Sequence, residues 1–111
     1  ADLTVNTDPY YLQTIIRNLL QNAIKASPEN SEIQIGTTPD SSEVVIYIKN
    51  QGTSFSQEQY QSILNSEETA LNLNGLGLRL VDELSKKINA AILFTSIPAA
   101  GTLVEIRLPN N

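Results

Sequence analysis

"NLLQNAIKAS", residues 18–27, is the stretch on which the reading of this chain turns. Asn18 and Asn22 stand four apart and Lys25 follows three later, so on a helix they share an arc of roughly 60°. The apolar residues Leu12, Ile15, Ile16, Leu19, Leu20 and Ala23 form a stripe centred about 100° or more from that arc. The three polar residues therefore line the edge of a core, where a cleft can open. An amide carbonyl oxygen is a suitable hard ligand for Mg²⁺, and a lysine ammonium is a standard phosphate contact. A solvated flank with two amides accommodates the same residues equally well.

The helix is predicted over about Pro9 to Ala26. Asp8 is placed to cap it, Pro9 suits its first position, and Pro28 ends it, because the residue before proline avoids helical geometry. Before it, "DLTV" reads as a short opening strand. After it, "SEIQIGT" alternates Ile33 and Ile35 with polar neighbours, as in a half-buried strand. "VVIYI", residues 44–48, is a β-branched and aromatic run, expected to be a central strand buried on both faces. Ser56 and Gln59 form a capping-box pattern that opens a short helix, about Gln57 to Leu64. Residues 65–74 read as a polar, irregular loop. A further helix is predicted to start at Gly75 to Gly77, with Leu80, Leu84 and Ile88 spaced by four and Leu78 and Val81 alongside. Its end carries Lys86 and Lys87, which suits the helix dipole. "AILFTSI", "PAAG" and "TLVEIRL" make a closing hairpin, with Val104, Ile106 and Leu108 on one side and Glu105 and Arg107 on the other. The element order predicts an α/β (α+β) two-layer sandwich, one face of a mixed sheet being covered by helices.

Composition narrows the chemistry. A chain of 111 residues, 41% hydrophobic and 17% charged, suits one globular domain. A net charge of −5 with scattered cations argues against a nucleic-acid surface. The chain has no cysteine and no histidine. That removes disulfides, thiolate metal sites, a histidine base and a Ser-His-Asp triad, and it fits a reducing compartment. There is neither a signal peptide nor an apolar run long enough to span a membrane. The chain opens on Ala1 rather than methionine, so it is expected to be a piece of a longer protein.

Two further stretches bear on function. In "IKNQGTSF" a glycine turns the chain sharply at the end of the central strand, a favoured place for ligands. Asn50 can pair with adenine there, its oxygen accepting from the exocyclic amine and its NH₂ donating to a ring nitrogen. A plain strand-to-helix turn has the same sequence. In "NGLGLRL" two glycines at a helix start leave backbone N–H groups bare, an arrangement that attracts phosphate; close helix-to-loop packing also requires small residues.

An asparagine-bearing helix, a glycine turn after a central strand, a polar loop and a Gly-Leu-Gly-Leu helix start, in that order, resemble one family. The chain is similar throughout to the catalytic, ATP-binding domain of sensor histidine kinases, in the ATPase superfamily shared with DNA gyrase, mismatch-repair ATPases and heat-shock chaperones. "NLLQNAIKAS" resembles the family's N box, "GLGLRLV" most of its second glycine box, and "GT…EIRLP" its usual ending. The resemblance implies a Bergerat-type fold, with three helices on a mixed sheet of about five strands. It also implies ATP and Mg²⁺ as ligands. Asn22 matches the asparagine that holds the metal against the phosphates. Asn18, one turn earlier, faces phosphate or metal, and Lys25 contacts phosphate. These three are the implied catalytic residues. Asn50, Gly52 and Ser54 are implied to lie at the adenine. Leu73, Gly75, Leu76, Gly77 and Leu78 shape the triphosphate pocket, and Thr102 joins them. The family transfers the γ-phosphoryl group of ATP to a histidine on a helical dimerisation domain upstream in the same polypeptide, and a response-regulator aspartate then receives it.

The chain departs from the family pattern in four places. Asn50-Gln51-Gly52-Thr53-Ser54 replaces Asp-x-Gly-x-Gly. No aromatic appears in "ILNSEETALN", where a phenylalanine is usual. Leu73 stands for the first glycine of the second box, and the lid is short. The departures bear on nucleotide affinity rather than on the fold, and restoring Asp at position 50 is expected to tighten binding. Besides a working kinase module, they leave open a degenerate module that docks to its partner domain without ATP turnover. A stand-alone kinase that phosphorylates serine on a regulator is a third reading. The expected setting is cytoplasmic, in a membrane-anchored, homodimeric parent, with the isolated piece a monomer.

Overall fold

The computed structural model describes residues 7–39, 42–66 and 73–109. Helix α1 spans Pro9–Ala26, followed by strands β1 (Ile33–Pro39) and β2 (Glu43–Asn50). Helices α2 (Gln57–Asn65) and α3 (Leu73–Lys87) come next, then strands β3 (Ala91–Ile97) and β4 (Gly101–Pro109). Among the described residues the sheet has four strands in the order β1-β2-β4-β3, every pair antiparallel. A mixed sheet of about five was expected. β1/β2 and β3/β4 are each hairpins, which pair antiparallel by construction, and their inner strands join antiparallel as well. The expected opening strand, "DLTV", lies outside the described residues.

Local chemistry explains the helix ends. Oδ1 of Asp8 accepts from the N–H groups of Tyr10 at 2.9 Å and Tyr11 at 3.2 Å, a cap worth about 1 kcal/mol. At the far end the Ser27 hydroxyl donates to Ala23 O at 2.6 Å, and Pro28 follows. The Ser56–Gln59 capping box forms in both directions. α3 closes in a Schellman motif: Asn89 takes φ 58°, Ala90 N–H donates to Ser85 O at 2.8 Å, and Asn89 N–H to Lys86 O at 3.4 Å.

The helices cover one sheet face. Ile15, Leu19 and Ala23 of α1 meet Leu78, Val81 and Leu84 of α3 and Tyr60 of α2. Beneath them lie Ile48, Ile92, Val104, Ile106 and Leu108. α1 and α3 run antiparallel, since Gly77 abuts Asn18 while the Lys87 ammonium lies 5.8 Å from the Tyr11 ring. Leu80 was expected in the α3 stripe but is 36% exposed. It lies 100° around the helix from Val81, off a stripe centred on Leu78, Val81 and Leu84.

β2 is an inner strand, though only one of its faces lies beneath helices. Val44 and Ile48 face the helices. Val45, on the other face, is buried between its ladder partners Thr38 and Arg107, and Tyr47 is half-buried. That second face also carries Arg107, paired with Glu43 at 3.1 Å and Glu105 at 3.2 Å. Ile33 packs against the core, but Ile35 is exposed, because β1 is the edge strand and α1 lies over β2. The loop expected over 65–74 is shorter than predicted: Asn65 ends α2, and Leu73 and Asn74 are already helical in α3. Both glycines expected to mark the helix start fall inside it. Residues 67–72 lie outside the described residues.

Candidate functional site

A cavity of about 360 Å³ opens between the C-terminal half of α1, the turn after β2, and the facing sides of α2 and α3. Asn22 and Lys25 reach it from α1, Asn50 from the end of β2, Ser54 from the turn, Leu78 from α3 and Thr102 from β4. Six of the residues singled out in the sequence, from five separate segments, thus border one space. Asn50 and Thr102 are ladder partners on adjacent strands and form its floor.

The remaining candidates lie around the rim. Gly52 takes φ +104° and lies flat against the end of α1, where Thr53 N–H donates to Ala26 O at 3.3 Å. This bond ties the turn to the last carbonyls of α1 and sets Asn50 across from Lys25. Asn18 is not among the lining residues: its Nδ2 donates to Thr14 O at 2.8 Å, and its Oδ1 faces Gly77. At Gly77 α3 lies close against α1: a Cβ there would meet Asn18 Oδ1 at 3.0 Å. Leu76 points outward, 46% exposed. Leu73 and Gly75 fall in the first turn of α3.

The polar groups differ in how they are held. Asn50 is buried, and its Nδ2 donates to Gln51 O at 2.8 Å. That bond fixes the amide orientation and turns Oδ1 away from the carbonyl. The Thr102 hydroxyl accepts from Phe55 N–H at 2.8 Å and donates to Thr53 O at 3.4 Å, so it anchors the loop carrying Ser54. Asn22 is different. Its Nδ2 is buried without any hydrogen-bond partner among the described residues. A buried unpaired amide costs about 1–3 kcal/mol, which a ligand would relieve. A half-turn of that amide exchanges donor for acceptor. Among the described residues that line the cavity, Lys25 is the one with an ionisable side chain, a cation in a protein of net charge −5.

Sequence reasoning missed the apolar wall. Phe55 and Phe94 line the cavity and meet edge-to-face at 5.0 Å, and Ile63 adds to them. Phe55 could have been found, as it follows the glycine turn directly. Phe94 enters only through its pairing with Val104. Behind Phe94, 4.8 Å from its ring, lies Tyr60, whose buried hydroxyl has no partner among the described residues. Burial pushes its phenol well up, and the charge of Asp82 adds to this.

Among the described residues no cluster of three His, Cys, Asp or Glu is placed to cage a metal. A cation held at the Asn22 carbonyl would have to draw most of its ligands from water and a bound anion, a coordination that Mg²⁺ accepts. An apolar slot with aromatic walls, a fixed amide on its floor and a cationic rim suits a planar base attached to an anion. No helix of the described residues is long and apolar enough to cross a membrane.

Known proteins share this fold and sequence pattern. The sensor protein kinase GraS of Staphylococcus aureus is 34% identical over 117 residues, an alignment that takes in 98% of this chain. The chain spans only 33% of that relative's length. The fold matches the catalytic domain of histidine kinase ThkA with a TM-score of 0.81 at 24% identity, covering 98% of this chain and 73% of the other. It also matches the mycobacterial sensor histidine kinase MprB, with a TM-score of 0.77 at 23% identity, covering 94% of this chain and 73% of that one. Residues 7–111 match the pattern shared by ATPases of the histidine kinase, DNA gyrase B and HSP90 type, and the chain belongs to that family.

Proposed function

We propose that this domain binds ATP with Mg²⁺ and serves as the catalytic module of a two-component sensor histidine kinase. The observation that carries the reading is the buried Nδ2 of half-buried Asn22, without a partner among the described residues, on the same cavity as Lys25 and Asn50. Asn22 would hold the metal through its carbonyl oxygen. Lys25 would neutralise phosphate charge, and the first turn of α3, which includes Gly75, would offer its free N–H groups to the same phosphates, while Gly77, further inside the helix, lets α3 lie close to Asn18 of α1. Asn18, at the α1–α3 contact, would act on that region from one turn away. Asn50 would accept from the adenine amine through Oδ1, with Gly52 and Ser54 shaping the turn beside it. Leu78, Phe55 and Phe94 would enclose the base above Thr102, Leu73 would lie at the start of α3 beyond it, and Leu76, which points outward, would take no part in the enclosure.

When bound, MgATP supplies the γ-phosphoryl group, which passes to a histidine nitrogen of a separate helical dimerisation domain and leaves ADP behind. The residues of this chain contribute positioning and charge neutralisation, the two requirements of phosphoryl transfer. No base is required from them, consistent with a chain that has no histidine. We extend the reading to a parent that is a membrane-anchored homodimer with this domain on the cytoplasmic side, passing its phosphoryl group to a response regulator; the likeness to a sensor protein kinase supports the signalling role. The isolated domain is then a monomer.

Titration with a fluorescent ATP analogue, with and without Mg²⁺, tests the reading. Saturable binding that requires Mg²⁺ and disappears in Asn22→Ala is the expected result. Absence of binding at millimolar nucleotide would instead favour a module that docks to its partner domain without turnover, the reading that Asn50, Ser54 and Leu73 in place of the usual residues would explain.

A further inference from the structure

The last turn of α2 contains no basic residue, so nothing on that helix offsets its exposed carbonyls. Arg79 of α3 does so instead. Its Nη2 donates to Ile63 O at 3.3 Å and also to Ser66 O. The guanidinium is drawn in far enough that Nε is buried with no partner among the described residues, so the arrangement is held at some cost.

The position of Arg79 on α3 gives this contact a consequence. Successive residues on a helix are turned by about 100°, so Gly77 and Arg79 point in nearly opposite directions with Leu78 between them. Gly77 lies against Asn18 of α1, Leu78 points down into the cavity, and Arg79 grips the end of α2. The first turns of α3 are therefore held from both flanks and from below. A glycine contact alone resists approach but does not resist separation or rolling. The hydrogen bonds of Arg79 supply that missing restraint.

We propose that Arg79 is a positioning residue for nucleotide binding: it fixes the N-terminal part of α3, from which Leu78 lines the cavity, without touching the ligand. This rests on the MgATP reading above.

The test pairs affinity with local opening. In Arg79→Met, which keeps the apolar stem, MgATP affinity should fall about tenfold, the effect of losing charge-assisted hydrogen bonds. Hydrogen exchange at the amides of residues 77–80 should accelerate, while that of Ile15–Ala23 stays as in the wild type. Arg79→Lys, which keeps the charge and one donor direction, should recover part of both. Three results would overturn the proposal. Faster exchange at 77–80 with unchanged affinity would show that the clamp does not serve the site. Weakened binding with unchanged exchange would mean that Arg79 acts on the ligand through its charge. Faster exchange throughout would reduce its role to general stability. A wild-type chain that takes up no MgATP sinks the nucleotide reading itself, a failure visible before any variant is made, and the exchange measurement still reports on the clamp.

Discussion

A methyl group on Gly77 would lie 3.0 Å from Oδ1 of Asn18, and that amide cannot easily move aside because its Nδ2 is bonded to Thr14 O at 2.8 Å. Two opposing effects then meet at one position. Alanine in place of glycine inside a helix gains about 1 kcal/mol, and the contact with Asn18 takes a comparable amount away. Gly77→Ala should therefore leave stability within roughly 0.5 kcal/mol of the wild type, but should stabilise an Asn18→Ala background by about 1 kcal/mol. Urea denaturation of the four proteins in this cycle measures the coupling. Equal effects in both backgrounds would mean that the two side chains do not meet as described.

Gly52 faces a harder obstacle. Its φ is +104°, and a Cβ there would approach Ala26 O to 2.3 Å, backbone against side chain with nothing flexible to yield. Relief would require the turn to lift off α1 and break the Thr53–Ala26 bond. Gly52→Ala should cost roughly 2–4 kcal/mol, combining backbone strain and a lost hydrogen bond. Chemical denaturation with an unchanged m-value would register it. A cost below about 1 kcal/mol would show that the turn is free to move.

The parts of this molecule written in local chemistry were legible. Asp8 and Pro9 open α1, Pro28 closes it, and Ser56 with Gln59 opens α2, all within four residues of the boundary they set. The parts that depend on neighbours distant in sequence were not. Glycines at 75 and 77 read as the start of a helix, and only the Asn18 side chain beside Gly77 gives a reason for a glycine inside it. Leu80 fits a spacing of four as well as Val81 fits the true stripe, and only the position of α1 decides between them. The polar half of the cavity could be assembled from motifs. Its aromatic wall could not, because Phe94 reaches it by sheet register. Similarly, no sequence pattern announces that Arg79 closes the end of another helix.

Tyr60 supplies a test of unpaired polarity. Its hydroxyl is buried without a partner among the described residues, and burial raises its phenol pKa. Tyr60→Phe should stabilise the domain by about 1 kcal/mol, the cost of burying an unsatisfied hydroxyl. The sign of the pH effect follows as well. The folded state keeps this proton to higher pH than the unfolded state does. Its contribution is therefore complete below the ordinary tyrosine value of about 10 and is lost as pH rises beyond it. Wild-type stability should fall more steeply above about pH 10 than that of Tyr60→Phe. Parallel alkaline curves would mean that Tyr60 ionises as freely folded as unfolded.

Family resemblance alone expects Asn50→Asp to tighten nucleotide binding, but the contact of Asn50 with Gln51 argues otherwise. Nδ2 donates to Gln51 O at 2.8 Å, and the residue is 5% exposed. Aspartate would lose that donor and set a buried carboxylate oxygen against a carbonyl oxygen. Desolvation and that repulsion both favour the protonated acid, which restores the donor, so the carboxyl should titrate above its ordinary range when folded. A folded-state value raised above the unfolded one gives stability that is present at low pH and lost as pH rises through it. Relative to wild type, Asn50→Asp should therefore be destabilised by about 1–3 kcal/mol at neutral pH and recover on acidification towards about pH 4. Nucleotide affinity at neutral pH should weaken or stay level. Paired urea melts of both proteins at the two pH values, with a nucleotide titration at neutral pH, decide the matter. A variant as stable as wild type at neutral pH, binding nucleotide more tightly, would show that the turn rearranges to release Gln51 and that Asn50 is an interchangeable stand-in for aspartate.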